Sequence, residues 1–146
     1  GVDVASLQAM KAALAKAGAA VKVLSTRLGA LNGAAGDSLP VDHLIVTMPS
    51  VMFDAVCVFG GPASVAQLRG SGDAVHFVRE AFEHAEPMAA VSEGIDFLTA
   101  TGVLSAGAQA AGVSTGAGVP GVMSSFMEDL GAHRRWDRVT SGAMAA

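Results

Sequence analysis

The sequence predicts an α/β fold in which helices cover both faces of a mainly parallel sheet. The first observation is that segments with helical spacing of apolar residues alternate with short apolar runs along the chain. The second is composition, since 51% of the 146 residues are hydrophobic and only 15% are charged. Such a composition fits strands that are buried on both faces. Residues 1–146 are long enough to bury one substantial core, so we expect a single domain.

The first predicted helix follows directly on Gly1. Val4, Leu7, Met10 and Leu14 recur at three- and four-residue steps, and Gly18 supplies a stop signal. This pattern is typical of the loop and helix that follow a strand in a βαβ unit. We therefore expect that the first strand of the sheet is missing from this sequence, which would make it part of a longer polypeptide.

Strands and a hairpin are predicted in the next forty residues. Val21 and Val23 alternate with Lys22, which indicates a short strand over Ala20–Leu24. The segment Gly29–Pro40 contains turn signals and predicts a hairpin that projects from the main sheet. Two further strands are predicted at Leu44–Thr47 and Phe53–Phe59, the second being the most apolar in the chain.

The second half of the chain predicts alternating helices and strands. Pro62 suits the first position of a short helix that extends to Leu68. Asp73 is the predicted cap of a longer helix. The buried face of that helix is predicted to comprise Val75, Val78 and Phe82. The later predicted elements are a strand over Pro87–Val91, a helix over Glu93–Ala100, a strand over Ala111–Thr115, and a final helix with Val122, Phe126 and Leu130 on one face.

Charge and cysteine content exclude several classes of function. The formal net charge is −4, and the basic residues form no stripe that would follow a phosphate backbone, so we expect no nucleic-acid partner. A single cysteine excludes an internal disulfide and a multi-cysteine metal site, and agrees with a cytoplasmic location. Gly, Pro and charged residues interrupt every apolar run, so we expect no membrane segment.

Ser92 is the strongest candidate for a chemical role. Ala90-Val91-Ser92-Glu93-Gly94 lies between a predicted strand and a predicted helix, where a tight turn would expose the serine like the nucleophile of an elbow. The amide of Glu93 and those of Gly60 and Gly61 are candidates for stabilising an oxyanion. A base for the serine is missing from this pattern, so a small polar turn residue is the competing interpretation.

Other reactive residues have simpler interpretations. Cys57 lies in an apolar run and is expected to be a buried thiol. Glu93 and Asp96 suit a helix start, where the helix dipole favours negative charge. His76 and Glu80 lack a third ligand, so no metal site is expected.

A terminal cluster of arginines with the only tryptophan suggests an interface. Arg134, Arg135, Trp136 and Arg138 stand together near the end of the chain. Such mixtures of aromatic and arginine residues are favoured where proteins meet. Docking against another part of a larger assembly is the preferred interpretation, and folding back on the same domain is the alternative.

Several stretches, taken in order, resemble the C-terminal domain of the large-subunit haem catalases of the hydroperoxidase II type. They are residues 1–18, 32–42, 49–56, 60–64, 72–77 and the terminal Ala-His-Arg-Arg-Trp-Asp-Arg of 132–138. The resemblance implies a flavodoxin-like, three-layer domain similar to the PfpI and class I glutamine amidotransferase superfamily. It also implies a parent chain that decomposes hydrogen peroxide, with the catalase core and neighbouring subunits of a tetramer as partners.

The resemblance also indicates where this chain departs from active members of that superfamily. Asp3 stands at the position of their acidic residue, Ser92 at that of their cysteine, and Glu93 at that of a frequent histidine. The usual cysteine chemistry would therefore be lost, leaving a vestigial elbow. Catalase haem is bound by a tyrosine, and this sequence contains none. We therefore expect no cofactor in this domain and haem in the parent.

Three hypotheses follow from the sequence. The first is a non-catalytic structural domain of a catalase. The second is a free-standing hydrolase or glyoxalase-like enzyme that uses Ser92 with Asp3. The third is a chaperone that holds unfolded clients, suggested by the high apolar fraction and by relatives of this fold.

Overall fold

Five helices and seven short strands form the described part of the chain, which in this computed structural model comprises residues 1–105 and 110–131. The helices are α1 Val4–Lys16, α2 Pro62–Arg69, α3 Gly72–Glu83, α4 Gly94–Ala100 and α5 Val119–Gly131. The strands are β1 Leu24–Ser25, β2 Ala30–Asn32, β3 Ser38–Pro40, β4 His43–Leu44, β5 Val56–Val58, β6 Met88–Val91 and β7 Val113–Gly116.

The central sheet is parallel, in the order β5-β6-β7. All four residues of β6 are buried. Met88 and Ala90 point into a core beneath α2, α3 and α4, whereas Ala89 and Val91 point into a second core beneath α1 and α5. This alternation follows from the two-residue period of a strand. The predicted α/β fold with helices on both faces of a parallel sheet is confirmed.

Two smaller pairings accompany the central sheet. β1 and β4 pair in parallel, with Leu24 opposite His43. β2 and β3 pair antiparallel and form the predicted hairpin over Gly29–Pro40, which is confirmed. The hairpin contacts the start of the chain, because Val2 donates a hydrogen bond to the carbonyl of Asn32 at 3.2 Å. Leu39 is buried with Val2 and Val4 in a third, small core.

The predicted strands on this side of the fold are longer than the observed ones. Ala20–Leu24 contributes only its last residue to β1, and Phe53–Phe59 contributes only the three residues of β5. Leu44–Thr47 is wrong as a strand, since β4 ends at Leu44 and a 3₁₀ turn covers Ile45–Thr47. The physical reason is that a strand needs neighbours on its edges, and β1 and β5 are each paired along one edge only.

Most predicted helices are confirmed in position, with one correction at a cap. Pro62 is the first residue of α2, as its fixed φ angle favours. Asp73 does not cap α3. The cap is Ser71, whose hydroxyl accepts a hydrogen bond from the amide of Ala74 at 3.2 Å, while Asp73 lies in the first turn. The buried face of α3 is also shifted, because Phe77 and Val78 are buried whereas Val75 and Phe82 are half-buried.

The predicted interface cluster Arg134, Arg135, Trp136 and Arg138 lies outside the described residues. Within residues 1–105 and 110–131, no helix is both long and apolar enough to cross a membrane.

Candidate functional site

The candidate site is a cleft of about 290 Å³ at the carboxyl ends of β5 and β6. Asp3 before α1, Gly61 after β5, and Ser92 and Glu93 after β6 line it together with the hairpin loop at Asp37. Ligands of open α/β sheets bind at this end of the strands. The topology therefore places four residues singled out from the sequence in one cleft, although they come from three separate stretches of the chain.

Ser92 occupies a strained turn between β6 and α4. Its φ angle is 53°, in the left-handed region that a residue with a Cβ atom rarely adopts. The turn is held by a hydrogen bond from the amide of Ser92 to the carbonyl of Gly116 at 2.8 Å. The neighbouring strand must approach closely, since a Cβ atom on Gly60 would lie 3.0 Å from the Cβ of Ser92. The geometry is that of a nucleophile elbow.

The carboxylate of Glu93 accepts hydrogen bonds from two donors at this elbow. Its Oε2 accepts from the amide of Gly61 at 3.0 Å and from the hydroxyl of Ser92 at 2.8 Å. The amide of Gly61, then the hydroxyl of Ser92, then the amide of Glu93 itself hold the pKa of this carboxyl below its ordinary value. Glu93 is therefore an anion at neutral pH, with its charge directed at these donors.

The predicted oxyanion donors are found close together, but they already have an acceptor. The amide of Gly61 donates to the Glu93 carboxylate, and the amide of Glu93 itself helps to lower the pKa of that carboxyl. Gly60 contributes its carbonyl instead, which accepts from the amide of Asp3 at 3.0 Å. A substrate oxyanion would have to compete with a covalently attached carboxylate for the same N–H groups.

Asp3 serves the first helix. One carboxylate oxygen accepts from the amide of Ser6 at 3.0 Å and the other from its hydroxyl at 2.6 Å. This is the geometry of a helix cap, here for α1. Asp3 thus shares the cleft with Ser92, while both of its oxygens bond to Ser6.

The histidines of the described residues lie elsewhere. His76 on α3 and His84, which directly follows α3, have ring nitrogens 3.6 Å and 4.0 Å from the carboxylate oxygens of Glu80. His43 belongs to β4. The hydroxyl of Ser92 is hydrogen-bonded to Glu93, a carboxylate kept ionised by its donors. His133 lies outside the described residues.

The remaining candidates fit no metal or nucleophilic site. Burial raises the pKa of the Cys57 thiol to about 12, so the thiol is neutral. Cys57 lies on β5, whereas the elbow follows β6. Among the residues that the structure describes, no three His, Cys, Asp or Glu side chains are grouped to hold a metal ion. Asp96 lies in the first turn of α4, whereas the side chain of Glu93 makes no capping bond to that helix.

The sequence did not predict the contribution of the hairpin to the cleft. Ala34, Ala35 and Asp37 line it from the loop between β2 and β3. The turn signals at Asn32 and Gly33 predict a hairpin but contain no information about which distant residues its loop contacts.

The parallel sheet with helices on both faces and the strained serine elbow define a DJ-1/ThiJ/PfpI-like domain of the flavodoxin type. A two-domain protein of known structure from Anabaena variabilis, which contains DJ-1/ThiJ/PfpI-like and ferritin-like domains, is similar. The two structures superpose with a TM-score of 0.59 and share 32% sequence identity. The match covers 62% of this chain and 27% of the Anabaena variabilis chain. Within this class, the chain belongs to the family described as the C-terminal domain found in long catalases, which matches residues 1–140.

Curated relatives agree with that family. Catalase HPII of Mycobacterium avium is 38% identical over 157 residues, which include 99% of this chain and 22% of the relative. Catalase-2 of Bacillus subtilis is 32% identical over 135 residues, or 90% of this chain and 19% of the relative. The chain thus spans about a fifth of the length of these catalases, and it is a catalase-associated domain.

Proposed function

We propose that this chain is a non-catalytic C-terminal domain of a large haem catalase whose whole polypeptide converts hydrogen peroxide to water and oxygen. The observation that carries the proposal is the position of the Glu93 carboxylate, which accepts hydrogen bonds from the amide of Gly61, a candidate oxyanion donor, and from the hydroxyl of Ser92, the candidate nucleophile. Family membership supplies the context, since the relatives that match this chain over most of its length are catalases.

The elbow lacks the parts of a working nucleophile. Ser92 needs a base that accepts its proton, and the carboxyl that it contacts has a lowered pKa and is a weak base. The position at which an oxyanion would form is filled by an anion on the protein itself. The Ser92 elbow is therefore the remnant of an active site whose architecture has been retained without its chemistry.

The tyrosine ligation of catalase-type haem does not fit the residues of this chain. The axial tyrosine of catalase-type haem cannot come from a sequence with no tyrosine. The Cys57 thiol has a raised pKa, so it is a poor source of a thiolate ligand. The proposal therefore assigns haem, and the peroxide chemistry that it supplies, to the part of the polypeptide outside this chain.

A structural role in assembly suits the exposed surface. Leu28, Val46, Val51 and Met52 are large apolar side chains that are between 55% and 67% exposed, and the last three lie on two neighbouring 3₁₀ turns. We propose that the patch of Val46, Val51 and Met52, together with the arginines and Trp136 of the terminal segment, docks on the catalase core or on a neighbouring subunit of a cytoplasmic tetramer. An ability to hold unfolded clients is a secondary expectation of such an apolar surface.

The test uses the full-length polypeptide and its Ser92→Ala variant. We expect both to decompose hydrogen peroxide at the same rate, with a haem absorption band in both, and neither to hydrolyse p-nitrophenyl acetate above the rate of buffer. Loss of an esterase activity in Ser92→Ala would overturn the proposal in favour of the hydrolase alternative. Absence of peroxide decomposition by the wild-type polypeptide would overturn the assignment to a catalase.

Docking and client binding are tested separately. Met52→Lys places a charge in the exposed patch, and Lys11→Glu changes a charge on α1 as a control. We expect Met52→Lys to weaken the assembly on a sizing column while Lys11→Glu leaves it intact. Suppression of the aggregation of a heated client protein by the wild type, reduced by Met52→Lys, would add the chaperone role, and no suppression would exclude it.

A further inference from the structure

Asn32 is the only asparagine of the sequence, and it directly precedes Gly33. An asparagine loses its side-chain amide most easily before glycine, because glycine has no side chain to shield its backbone nitrogen. Asn32 is the last residue of β2 and is exposed to solvent. This dipeptide therefore lies within reach of water, at the start of the hairpin loop that lines the candidate cleft.

Loss of the amide from Asn32 needs only water as a reactant. The backbone nitrogen of Gly33 gives its proton to solvent and bonds to the side-chain carbonyl carbon of Asn32, while the side-chain nitrogen takes up a proton and leaves as ammonia. Water then opens the resulting cyclic imide at either of its two carbonyls. One product is aspartate in a normal main chain. The other is isoaspartate, in which the main chain passes through the former side chain and is longer by one methylene group.

The folded hairpin holds both reacting groups out of position. The amide of Gly33 donates to the carbonyl of Asp37 at 2.8 Å, so its proton is held in a hydrogen bond. Asn32 has the extended backbone of a strand and pairs with Ser38, and this conformation directs the next backbone nitrogen away from its side chain. The carbonyl of Asn32 also accepts from the amide of Val2 at 3.2 Å. The reaction therefore requires the hairpin to open.

The hairpin is attached to the rest of the fold by a small apolar contact. Within Gly29–Pro40 only Leu39 is buried, and it packs in the small core that contains Val2 and Val4. Segments with few buried apolar contacts open locally at a lower free energy than the central elements of a domain. The hairpin should therefore open more often than the central sheet, whose strand β6 is buried throughout.

Packing requires glycine at position 33. A Cβ atom there would clash with the carboxylate of Asp37 and would lie 2.9 Å from a methyl carbon of Val4. A bulkier residue, which would shield the backbone nitrogen and suppress the reaction, is thus excluded by the close approach of the hairpin to α1. The reactive dipeptide is part of the way in which the hairpin packs.

We propose that Asn32 is a site of spontaneous deamidation whose rate is set by opening of the hairpin. Each opening frees the Gly33 nitrogen, and an isoaspartate formed in that state keeps the hairpin from closing in its original register, because the lengthened main chain no longer matches β3. The loop residues Ala34, Ala35 and Asp37 are then displaced from the candidate cleft. The inference goes beyond the proposed function and is independent of it, since it rests on the hairpin alone.

The first experiment measures aspartate and isoaspartate at position 32 by peptide mapping and mass spectrometry. The full-length protein is incubated at mildly alkaline pH in native buffer and in urea. We expect the reaction to be at least about tenfold slower in native buffer, because the Gly33 amide is bonded there. Equal rates would overturn control by the hairpin, and an intact Asn32 in urea would overturn the site itself. Asn32→Gln is the control and should give neither product, since its longer side chain forms the cyclic imide far more slowly.

The second experiment distinguishes opening of the hairpin from unfolding of the whole domain. Leu39→Ala removes apolar contacts beneath the hairpin, whereas Leu104→Ala makes the same change in the core beneath α2, α3 and α4. We expect deamidation in native buffer to be several-fold faster in Leu39→Ala than in the wild type, and the rate in Leu104→Ala to stay close to that of the wild type. Equal acceleration in the two variants, or none in Leu39→Ala, would show that local opening of the hairpin does not set the rate.

Discussion

The hydroxyl of Ser92 donates a hydrogen bond of 2.8 Å to the carboxylate of the adjacent residue, Glu93. The same carboxylate oxygen accepts from the amide of Gly61, which lies 32 residues away along the chain. One side chain therefore connects the turn after β6 to the turn after β5. The elbow is stabilised by this contact.

The stability supplied by Glu93 should depend on pH. Its pKa is lowered from the ordinary value of 4.5, so the carboxylate stabilises the fold above that value and loses this effect as the pH falls through the lower, folded pKa. We expect the wild type to melt at a higher temperature than Glu93→Gln at neutral pH. The difference should shrink below about pH 4.5.

Thermal melts between about pH 3 and pH 7 check this expectation. Glu128→Gln on the exposed surface of α5 is the control and should follow the wild type throughout. An unchanged difference between wild type and Glu93→Gln across that range would contradict the assignment.

Gly94→Ala should destabilise the domain by about 1–3 kcal/mol. A Cβ atom at this first residue of α4 would lie 2.5 Å from the carbonyl oxygen of Val58, so helix and strand would have to move apart. Gly72→Ala, at the first residue of α3, meets no atom within 4 Å and should be neutral or stabilising by less than about 1 kcal/mol. Urea denaturation of both variants measures the contrast, and equal effects would refute it.

Ser71→Ala should cost about 1 kcal/mol of stability, because it removes the acceptor for the amide of Ala74 at the start of α3. Asp73→Asn keeps the side-chain size and changes only a favourable charge in the first turn, which is worth about 0.3–1 kcal/mol. Urea midpoints would rank the two, and a larger loss for Asp73→Asn would restore the cap predicted from the sequence.

Phe126→Ala should destabilise the domain by about 3–5 kcal/mol. The ring is 1% exposed and packs between α5 and the face of β6 formed by Ala89 and Val91. Met127→Ala, at a half-buried position one residue further along α5, should have a smaller effect. Circular dichroism during denaturation gives both values, and comparable losses would show that α5 is not seated as described.

Local sequence signals predicted the elements whose cause is local. The apolar stripe Val4, Leu7, Met10 and Leu14 is buried along α1, as its spacing indicates. The hairpin follows from the turn residues of Gly29–Pro40. Strand lengths were predicted less well, because Phe53–Phe59 is apolar throughout and only pairing with β6 determines that β5 covers Val56–Val58.

In the candidate site, too, the sequence predicted the feature with a local cause and not the one that depends on distant residues. The sequence located the elbow at Ser92, since a strand-to-helix turn with small neighbours is a local pattern. It did not reveal that the Glu93 side chain turns towards Gly61 rather than towards α4, because that choice depends on how far apart β5 and β6 lie.

The buried environment of Cys57 protects its thiol from oxidation by peroxide. Peroxides attack the thiolate form of cysteine, and the sulfenic acid that results leads on to irreversible damage. With a pKa raised to about 12, the Cys57 thiol is almost wholly protonated at neutral pH. With serine at the elbow, the described part of the chain offers peroxide no activated sulfur there. In the catalase that we propose as the whole polypeptide, this domain would thereby be protected at Cys57 from the peroxide substrate.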